Sequence, residues 1–483
     1  MKPHNLMLGT TVMASASAVR VAIQIIILPV IGRLLGPKAY GQIALVSPFI
    51  YFSMLLAESG LGAVIVRADR LSKELEGTIF CFSTVLSVVF IAIFAALAYP
   101  LGRLMGEPMF PPLLIGMSGT LLLASLNIVP AGLILRKKKY KLMAAVDLVS
   151  TLCGIAGVVT GIMLGWGVWS IVAQQFCFWA SKLAVTAVGA RYRPHFVFRR
   201  RIIRENIYFG SNITGASIIG FVARNIDNIL IGSLMGVKTL GFYALAYQVI
   251  LLPQMVFSGS AYVSLFSSIS EAAREGKVSP KQFLGMLRGV MLVSAPAMVG
   301  IAATASMAIP LLLGEQWMPT ARLIILLTPF GLCGSIGAAS GGVMLGLGRS
   351  DVIFRMTLML SGLTIAVIAI GAFISSDAVA IGLSIVAIFN TIVYMRVLAR
   401  HCGTSMRAIG KAIAAPLISA LIMGCVVLTV RQVVPGGWPL ALKLGISMAV
   451  GILAYTGILF GLFHDHIRED IATIKAAILA RRQ

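Results

Sequence analysis

The chain has 483 residues, of which 59% are hydrophobic and 11% are charged, and its formal net charge at pH 7 is +23. So low a charged fraction excludes an ordinary soluble domain and indicates a protein whose surroundings are mostly lipid. Because a spanning helix needs about 20 largely apolar residues, a chain of this length provides for roughly a dozen spans or more, joined by short loops.

Hydropathy and loop composition predict an all-α membrane fold with about fourteen spans. The predicted spans, in chain order, are 11–31, 40–57, 78–99, 112–133, 142–164, 168–190, 207–235, 242–266, 284–313, 323–345, 356–374, 378–395, 412–430 and 440–463. The first twelve form two six-helix lobes, residues 1–198 and 199–405. The last two spans lie in residues 406–463, and residues 464–483 form an amphipathic tail at the cytoplasmic membrane surface.

Two stretches of the chain match each other at a constant separation of 200 residues. IGRLLGPKAYGQIAL, residues 31–45, and IGSLMGVKTLGFYAL, residues 231–245, share eight of fifteen positions without a gap. A weaker match pairs GEPMFP, residues 106–111, with GEQWMP, residues 314–319. A shift of this size covers six predicted spans, an even number. The sequence therefore predicts two parallel repeats, related by an axis along the membrane normal.

The positive charges alternate along the chain between two sets of loops. When residues at span ends are counted with the adjoining loops, 29 of the 39 lysines and arginines lie in the termini and loops of one side and 7 in the loops of the other side. The remaining 3 are Arg20, Lys182 and Arg224. The positive-inside rule therefore predicts that both termini are cytoplasmic. The same asymmetry explains the net charge as membrane topology, so no nucleic-acid partner is expected.

Two arginines lie near the middle of predicted spans, where a charged side chain costs at least about 2.5–3.5 kcal/mol on insertion scales. Arg20 shares a helical face with Gln24, and Arg224 shares one with Asn228. If both faces point inward, the two lobes present cations to a shared central cavity. The alternative is that both arginines are satisfied within the helix bundle, Arg224 by Asp227 at i+3.

Three other ionisable side chains lie inside predicted spans or at their ends. Glu58 and Lys182 lie near span ends, where the side chain can extend to the interface. Asp147 lies about one turn inside the cytoplasmic end of its span, within reach of the basic cluster at residues 136–141. We therefore expect Asp147 to pair with that cluster and Lys182 to extend toward the headgroups.

No segment indicates an enzyme, a cofactor or a metal site. The sequence has no P-loop and no H-E-x-x-H, and its predicted outer loops have roughly fifteen residues or fewer. The six cysteines lie far apart without a C-x-x-C pair, which argues against a zinc site or a disulfide framework. We expect a transporter that works without a cofactor.

The stretch LLGPKAYGQIALVSPFIYFSMLLAESGLGAVIVR, residues 34–67, resembles the start of the oligosaccharide flippases. These form the polysaccharide-transporter branch of the superfamily that also contains multidrug exporters of the MATE type and the lipid II flippase. The plan of about fourteen spans, two six-helix lobes and two added helices is similar as well. The resemblance implies alternating access and a cationic cavity.

The resemblance also implies a substrate and a location. An oligosaccharide flippase moves a polyprenyl-diphosphate-linked oligosaccharide repeat unit from the inner to the outer leaflet of the bacterial inner membrane. This step serves the synthesis of exopolysaccharide or of lipopolysaccharide of the O-antigen type. Beyond membrane lipids, the implied partners are a polysaccharide polymerase and export machinery.

The embedded charges agree with such a substrate, because two guanidinium groups could hold a diphosphate bidentately. The candidate substrate contacts in the cavity are the side chains of Arg20, Gln24, Arg224 and Asn228. Our hypothesis for the energy source is an ion gradient, with Asp227 or Asp147 as the proton carrier.

Two other functions remain open at the level of the sequence. A MATE-like exporter of cationic drugs would favour a pocket lined by carboxylates, whereas the most central embedded charges here are basic. A membrane glycan polymerase or glycosyltransferase would need a sizeable outer loop or an acidic metal site.

Overall fold

The computed structural model describes residues 3–58, 61–68, 71–202, 221, 225–257, 280–346, 349–435 and 437–462. Its helices, in chain order, are α1 Pro3–Glu58, α2 Leu61–Arg67, α3 Lys73–Met105, α4 Phe110–Arg136, α5 Tyr140–Met163, α6 Trp169–Ala190, α7 residues 225–235, α8 Val237–Phe257, α9 Pro280–Leu313, α10 Met318–Gly346, α11 Ser350–Ala372, α12 Ser376–His401, α13 Met406–Val433 and α14 Leu440–Leu462.

The helices are long enough and apolar enough to cross a membrane repeatedly. Within the described ranges, eleven helical segments meet that requirement, and every regular element there is helical. The predicted all-α, multi-pass membrane fold is therefore confirmed. Much of the seventh predicted span, the end of the eighth and the predicted tail at residues 464–483 lie outside those ranges.

Equivalent glycines interrupt the helices in both copies of the sequence repeat. Gly36 has φ +74° inside α1, and Gly236 has φ +83° between α7 and α8. In the second match, Gly106 ends α3 with φ +66° and Gly314 follows α9 with φ +97°. A residue with a Cβ atom is strained at such φ values. The repeated glycines therefore allow two backbone breaks at equivalent positions in each copy of the repeat. The sequence repeat thus has a counterpart in the backbone.

The two copies of the longer motif also pack directly against each other. A Cβ atom on Gly41 would overlap the carbonyl group of Val237 and lie 2.8 Å from the backbone nitrogen of Gly241. A Cβ atom on Gly241 would overlap the carbonyl group of Pro37 and lie 3.2 Å from the nitrogen of Gly41. Since residues 37 and 237 are equivalent in the repeat, the contact is reciprocal. We call it the glycine crossing.

Contacts divide the chain into two compact units. The first unit comprises Met1–Leu245 with Ser361–Val379, and the second comprises Ala246–Leu360 with Ala380–Gln483. The predicted lobes at residues 1–198 and 199–405, with the last two spans in residues 406–463, are a different division of the chain and stay a prediction.

Each unit has its own apolar core. In the first unit, α2, α3 and α4 bury a cluster that includes Ile65, Phe80 and Val129. In the second unit, α9, α12 and α14 are joined by a cluster that includes Met291 and Leu398. Helix packing of this kind in lipid depends on close van der Waals contact, because surrounding lipid removes the hydrophobic driving force between helices.

Local sequence signals set where α3 begins. Ser72 is its N-cap, with a side-chain oxygen that accepts a hydrogen bond from the backbone nitrogen of Leu75 at 3.1 Å. Glu74 and Glu76 follow in the first turn, where negative charge favours the positive end of the helix dipole.

Candidate functional site

A cavity of about 560 Å³ lies within the first unit, between α2, α4 and α6. Its wall is mostly apolar and includes Met54, Leu121 and Trp179, while Asn127 and Lys182 are among its polar residues. We call it the first-unit cavity. A chamber that combines an apolar wall with a few polar groups is typical of a binding site for a small or amphiphilic molecule.

Among the described residues that line the cavity, Lys182 is the charged one. Three neighbouring side chains hold its ammonium group in place. Its Nζ lies 3.0 Å from Oδ1 of Asp147 on the adjacent helix α5. The same atom lies 5.4 Å from the ring centre of Phe178 and 5.5 Å from that of Trp179. An ammonium group over aromatic rings gains cation–π attraction, which adds to the ion pair when water is excluded.

Two expectations about these charges are wrong. Asp147 pairs with Lys182 on α6 and not with the basic cluster at residues 136–141. Lys182 in turn does not need to extend to the headgroups, because its charge is balanced inside the helix bundle. The side chains are only partly exposed, 16% for Lys182 and 28% for Asp147, which makes pairing the cheaper arrangement for both.

A hydrogen bond joins α4 and α6 one turn from Lys182. The Thr186 hydroxyl donates to Oδ1 of Asn127, and both side chains are buried. Without such a partner, a buried amide in an apolar bundle would be left with an unmet hydrogen bond. This bond places Asn127 close to Lys182 on the cavity wall.

Arg136 fastens the short helix α2 to α4. Its Nη1 donates to the carbonyl oxygens of Ile65 at 2.9 Å, Val66 at 3.4 Å and Ala68. The carbonyls of Ile65 and Val66 belong to the last turn of α2 and that of Ala68 follows its end, where positive charge is favoured by the helix dipole and by the orphan acceptors. Because Val66 lines the first-unit cavity, the cap also holds one of its walls.

Asp227 is buried on α7, nine residues before the break at Gly236. Its side chain is 4% exposed, and its Oδ2 accepts a hydrogen bond from the Tyr243 hydroxyl at 2.6 Å. Oδ1 accepts a second bond from the backbone nitrogen of Asn228 at 2.8 Å. The bond from Tyr243 thus holds α7 to α8, two residues along the chain from Gly241 of the glycine crossing.

Of the four candidate substrate contacts, the structure describes the side chains of Arg20 and Asn228. Arg20 lies on α1, half-buried, and its Nε is buried without a hydrogen-bond partner. Asn228 lies half-buried on α7. The side chain of Gln24 and the whole of Arg224 lie outside the described residues, so the predicted cationic surface of these four residues stays a prediction.

An apolar groove of about 470 Å³ lies in the second unit, between α9, α13 and α14. Pro296 and Tyr455 are among its lining residues. The Tyr455 hydroxyl donates at 2.8 Å to the carbonyl oxygen of Leu292. That carbonyl lies four residues before Pro296, which has no N–H to offer it.

A family model described as "Polysaccharide biosynthesis protein" matches residues 30–322, which is more than half of the chain. The chain belongs to this family.

Three curated relatives of this polysaccharide biosynthesis protein match most of its length. The succinoglycan biosynthesis transport protein ExoT of Rhizobium meliloti (strain 1021) is 25% identical over 443 residues, 90% of this chain and 88% of its own.

Two further relatives come from distant bacteria. The teichuronic acid biosynthesis protein TuaB of Bacillus subtilis (strain 168) is 22% identical and covers 84% of both chains. The lipopolysaccharide biosynthesis protein WzxC of Escherichia coli (strain K12) is 23% identical, covering 82% of this chain and 81% of its own. The three relatives are thus named for three different polysaccharides.

Solved structures have a fold similar to that of this chain. The lipid II flippase MurJ, in an inward closed conformation, matches with a TM-score of 0.73 at 13% identity, over 96% of this chain and 99% of its own. An inward-facing MATE multidrug transporter matches with a TM-score of 0.59 at 16% identity, over 81% and 99%. The resemblance to the superfamily of these transporters is thus confirmed at the level of fold.

The pairing of Lys182 with Asp147 escaped the sequence interpretation, although one signal could have found it. Helices α5 and α6 are neighbours joined by a short turn, so residues at similar distances from that turn meet at similar depth. Asp147 lies 16 residues before the end of α5, and Lys182 lies 13 residues after the start of α6. The difference corresponds to about 4.5 Å of helix rise, within the reach of a lysine side chain.

Proposed function

We propose that this protein is a flippase for a polyprenyl-diphosphate-linked oligosaccharide repeat unit. It moves the lipid-linked unit from the inner to the outer leaflet of the bacterial cytoplasmic membrane, where the unit is used to build a cell-surface or secreted polysaccharide. The observation that carries the proposal is the similarity to the transport protein ExoT over 90% of this chain.

The substrate has parts that match different features of the protein. The diphosphate needs cations in a site that excludes bulk water, and the glycan needs polar groups. Arg20, Gln24, Arg224 and Asn228 are proposed to contact the diphosphate and the first sugars. The prenyl chain needs apolar surroundings, which the bilayer supplies.

The energy source and the orientation belong to the same proposal. Asp227, buried and hydrogen-bonded to Tyr243, is the first candidate for a proton carrier, and Asp147 is the second. The positive charges favour cytoplasmic termini. In that orientation, Lys139 lies on the side that receives the substrate, while Arg103 and the glycine crossing lie on the side that releases it.

The deciding experiment follows a fluorescent polyprenyl-diphosphate oligosaccharide across proteoliposomes. Addition of an impermeant quencher measures how much of the lipid has changed leaflet, with and without an imposed proton gradient. The parent protein is compared with the Arg20→Ala, Arg224→Ala double variant. Arg103→Ala, which removes an exposed arginine at the end of α3, is the matched control for loss of positive charge.

We expect transfer by the parent and by Arg103→Ala, and loss of transfer in a folded double variant. If the parent transfers none of several lipid-linked glycans under proton or sodium gradients, the flippase proposal fails. Accumulation of cationic drugs in the same vesicles would then identify an exporter of the MATE type.

A further inference from the structure

We infer that the first-unit cavity binds an amphiphilic phosphate, and that Lys182 exchanges Asp147 for the phosphate when such a ligand enters. The ligand class is a prenyl or acyl chain that carries a phosphate or diphosphate head. This inference rests on the proposed function for the identity of the natural ligand, a lipid-linked diphosphate. The exchange itself is argued from the cavity.

The cavity gives a ligand access to Lys182. The described lining includes Lys182 but does not include its partner Asp147 on α5. A phosphate in the cavity can therefore meet the ammonium group from the cavity side. The rings of Phe178 and Trp179 hold the ammonium group at 5.4 and 5.5 Å, so the cation keeps its place when the carboxylate is displaced.

The charges favour the exchange. A carboxylate offers Lys182 one negative charge, whereas a diphosphate offers about two and more acceptor oxygens. The ion pair is also not wholly buried, because 28% of the Asp147 side chain is exposed, although its Oδ1, the atom that meets Lys182, is buried. Breaking a fully buried pair would instead strand a charge at great cost.

The rest of the wall fits the other half of an amphiphile. Leu121, Ile128 and Leu135 of α4 form an apolar face, and Val66 of α2 adds to it. Asn127, bonded to Thr186 one turn from Lys182, supplies polar atoms near the charged end. A free inorganic ion would gain nothing from the apolar face, whereas a lipid chain buries surface there.

The test measures binding of geranylgeranyl diphosphate to the purified full-length protein in nanodiscs. The variants are Asp147→Asn, Lys182→Met and the double variant that carries both. Asp147→Asn frees the ammonium group without changing the shape of its partner, so we expect binding to tighten about tenfold, as for one hydrogen bond to a charged group. Lys182→Met and the double variant should both bind about tenfold more weakly than the parent.

A purely structural ion pair predicts a different pattern. In that case, each single variant would lose stability, the double variant would regain it, and all folded forms would bind the probe equally. Either equal binding or a double variant that binds like Asp147→Asn would overturn the inference. Lys182→Met leaves the Asp147 carboxylate without its partner, and that variant could fail to fold. In that case, the difference in probe affinity between Asp147→Asn and the double variant still tests whether Lys182 binds the phosphate.

Two further probes identify the source of the ligand. Inorganic pyrophosphate should bind much more weakly than geranylgeranyl diphosphate, since it lacks the chain, and equal affinities would refute an amphiphile site. Phosphatidylglycerol in the nanodisc tests ordinary membrane lipid. If it displaces the prenyl diphosphate at equal concentration, the site holds bulk anionic lipid, and the assignment to the transported lipid is wrong.

Failure of this inference and failure of the proposed function are distinguishable. If binding follows the expected order while no lipid-linked oligosaccharide is transferred in proteoliposomes, the site stands and the flippase proposal falls. If transfer occurs and neither Asp147→Asn nor the double variant alters probe binding, the flippase proposal stands and the site falls.

Discussion

The carbonyl oxygen of Leu292 has no helical N–H donor, because a proline lies four residues later, and a side chain from another helix donates to it instead. Pro296 cannot donate to it along α9, and the Tyr455 hydroxyl of α14 donates instead at 2.8 Å. In an apolar bundle, an acceptor without a donor is costly, so the last helix supplies what the kink removed. Tyr455 therefore joins α14 to α9 at a defined depth.

Replacing Tyr455 with Phe should lower the free energy of unfolding by about 1 kcal/mol, as for a single interhelical hydrogen bond in a membrane protein. In a Pro296→Ala background, the helix supplies its own donor, so the same Tyr455→Phe change should cost close to nothing. Unfolding of the four proteins in detergent completes this double-mutant cycle. Equal costs in both backgrounds would mean that Tyr455 acts through packing alone.

Cys402, just beyond the end of α12, gives a pH-dependent prediction. It is 3% exposed, and burial raises the pKa of its thiol to about 11. A raised pKa keeps the native thiol protonated while the unfolded thiol ionises. Its contribution to stability is therefore complete below about pH 8 and is lost as the pH rises toward 11.

Alkylation of Cys402 should accordingly become faster up to about pH 11, because the thiolate is the reacting form. The measurement uses iodoacetamide and mass spectrometry on a variant whose other five cysteines are replaced by serine. Arg400→Cys in a Cys402→Ser background is the exposed control and should reach its maximum rate near pH 9. A plateau for Cys402 at the same pH would contradict the burial argument.

At the scale of elements, the glycine crossing leaves no room for a side chain. Gly41→Ala should destabilise the protein by about 1–3 kcal/mol, because a methyl group would meet the backbone carbonyl of Val237 and the helices would have to separate. Gly241→Ala should behave alike, and the double variant should cost less than the sum, since the first methyl group already opens the contact.

Gly289 in α9 is the matched control, because no atom lies within 4 Å of the position of its missing Cβ. There, Ala should be neutral or stabilise by up to about 1 kcal/mol through helix propensity. Thermal unfolding in detergent measures all of these variants. A Gly41→Ala protein as stable as Gly289→Ala would show that the two motifs do not touch so closely in solution.

The same elements show how far the sequence could lead. The helix breaks at Gly36 and Gly236 were implicit in the repeat, since a glycine retained at the same place in both copies points to a special backbone conformation. The contact between Gly41 and Gly241 could not be predicted from the repeat, because a sequence repeat does not show which faces of its two copies pack together. In lipid, both faces of a helix are apolar, so the pattern that orients soluble helices is missing.

At the scale of the whole molecule, composition and span length predicted the all-α membrane fold because the bilayer itself dictates both. The candidate functional site was harder to predict from the sequence than the fold. Arg20 and Arg224 stand out in the sequence because they lie inside apolar spans, but a charge alone does not reveal its neighbours. Asp147 and Lys182 needed the pairing of α5 with α6 before their ion pair could be seen.

The orientation of the molecule is testable with two exposed positions. A membrane-impermeant thiol reagent should label Arg103→Cys in intact cells, and should label Lys139→Cys only after the membrane is opened, because the loops rich in Lys and Arg remain in the cytoplasm. Both variants are made in a background without reactive cysteines. The reverse pattern would place the termini outside and reverse the direction assigned to transport.

The glycine crossing also bears on descent. A protein half as long, with one copy of the motif, could make this contact only with a second molecule of its own kind, the carbonyl of residue 37 in each meeting the glycine at 41 in the other. Such reciprocity is the mark of an isologous dimer interface. Fusion of two such copies would turn a former partner into a permanent neighbour, and a side chain gained at either glycine would then have to be accommodated by the other.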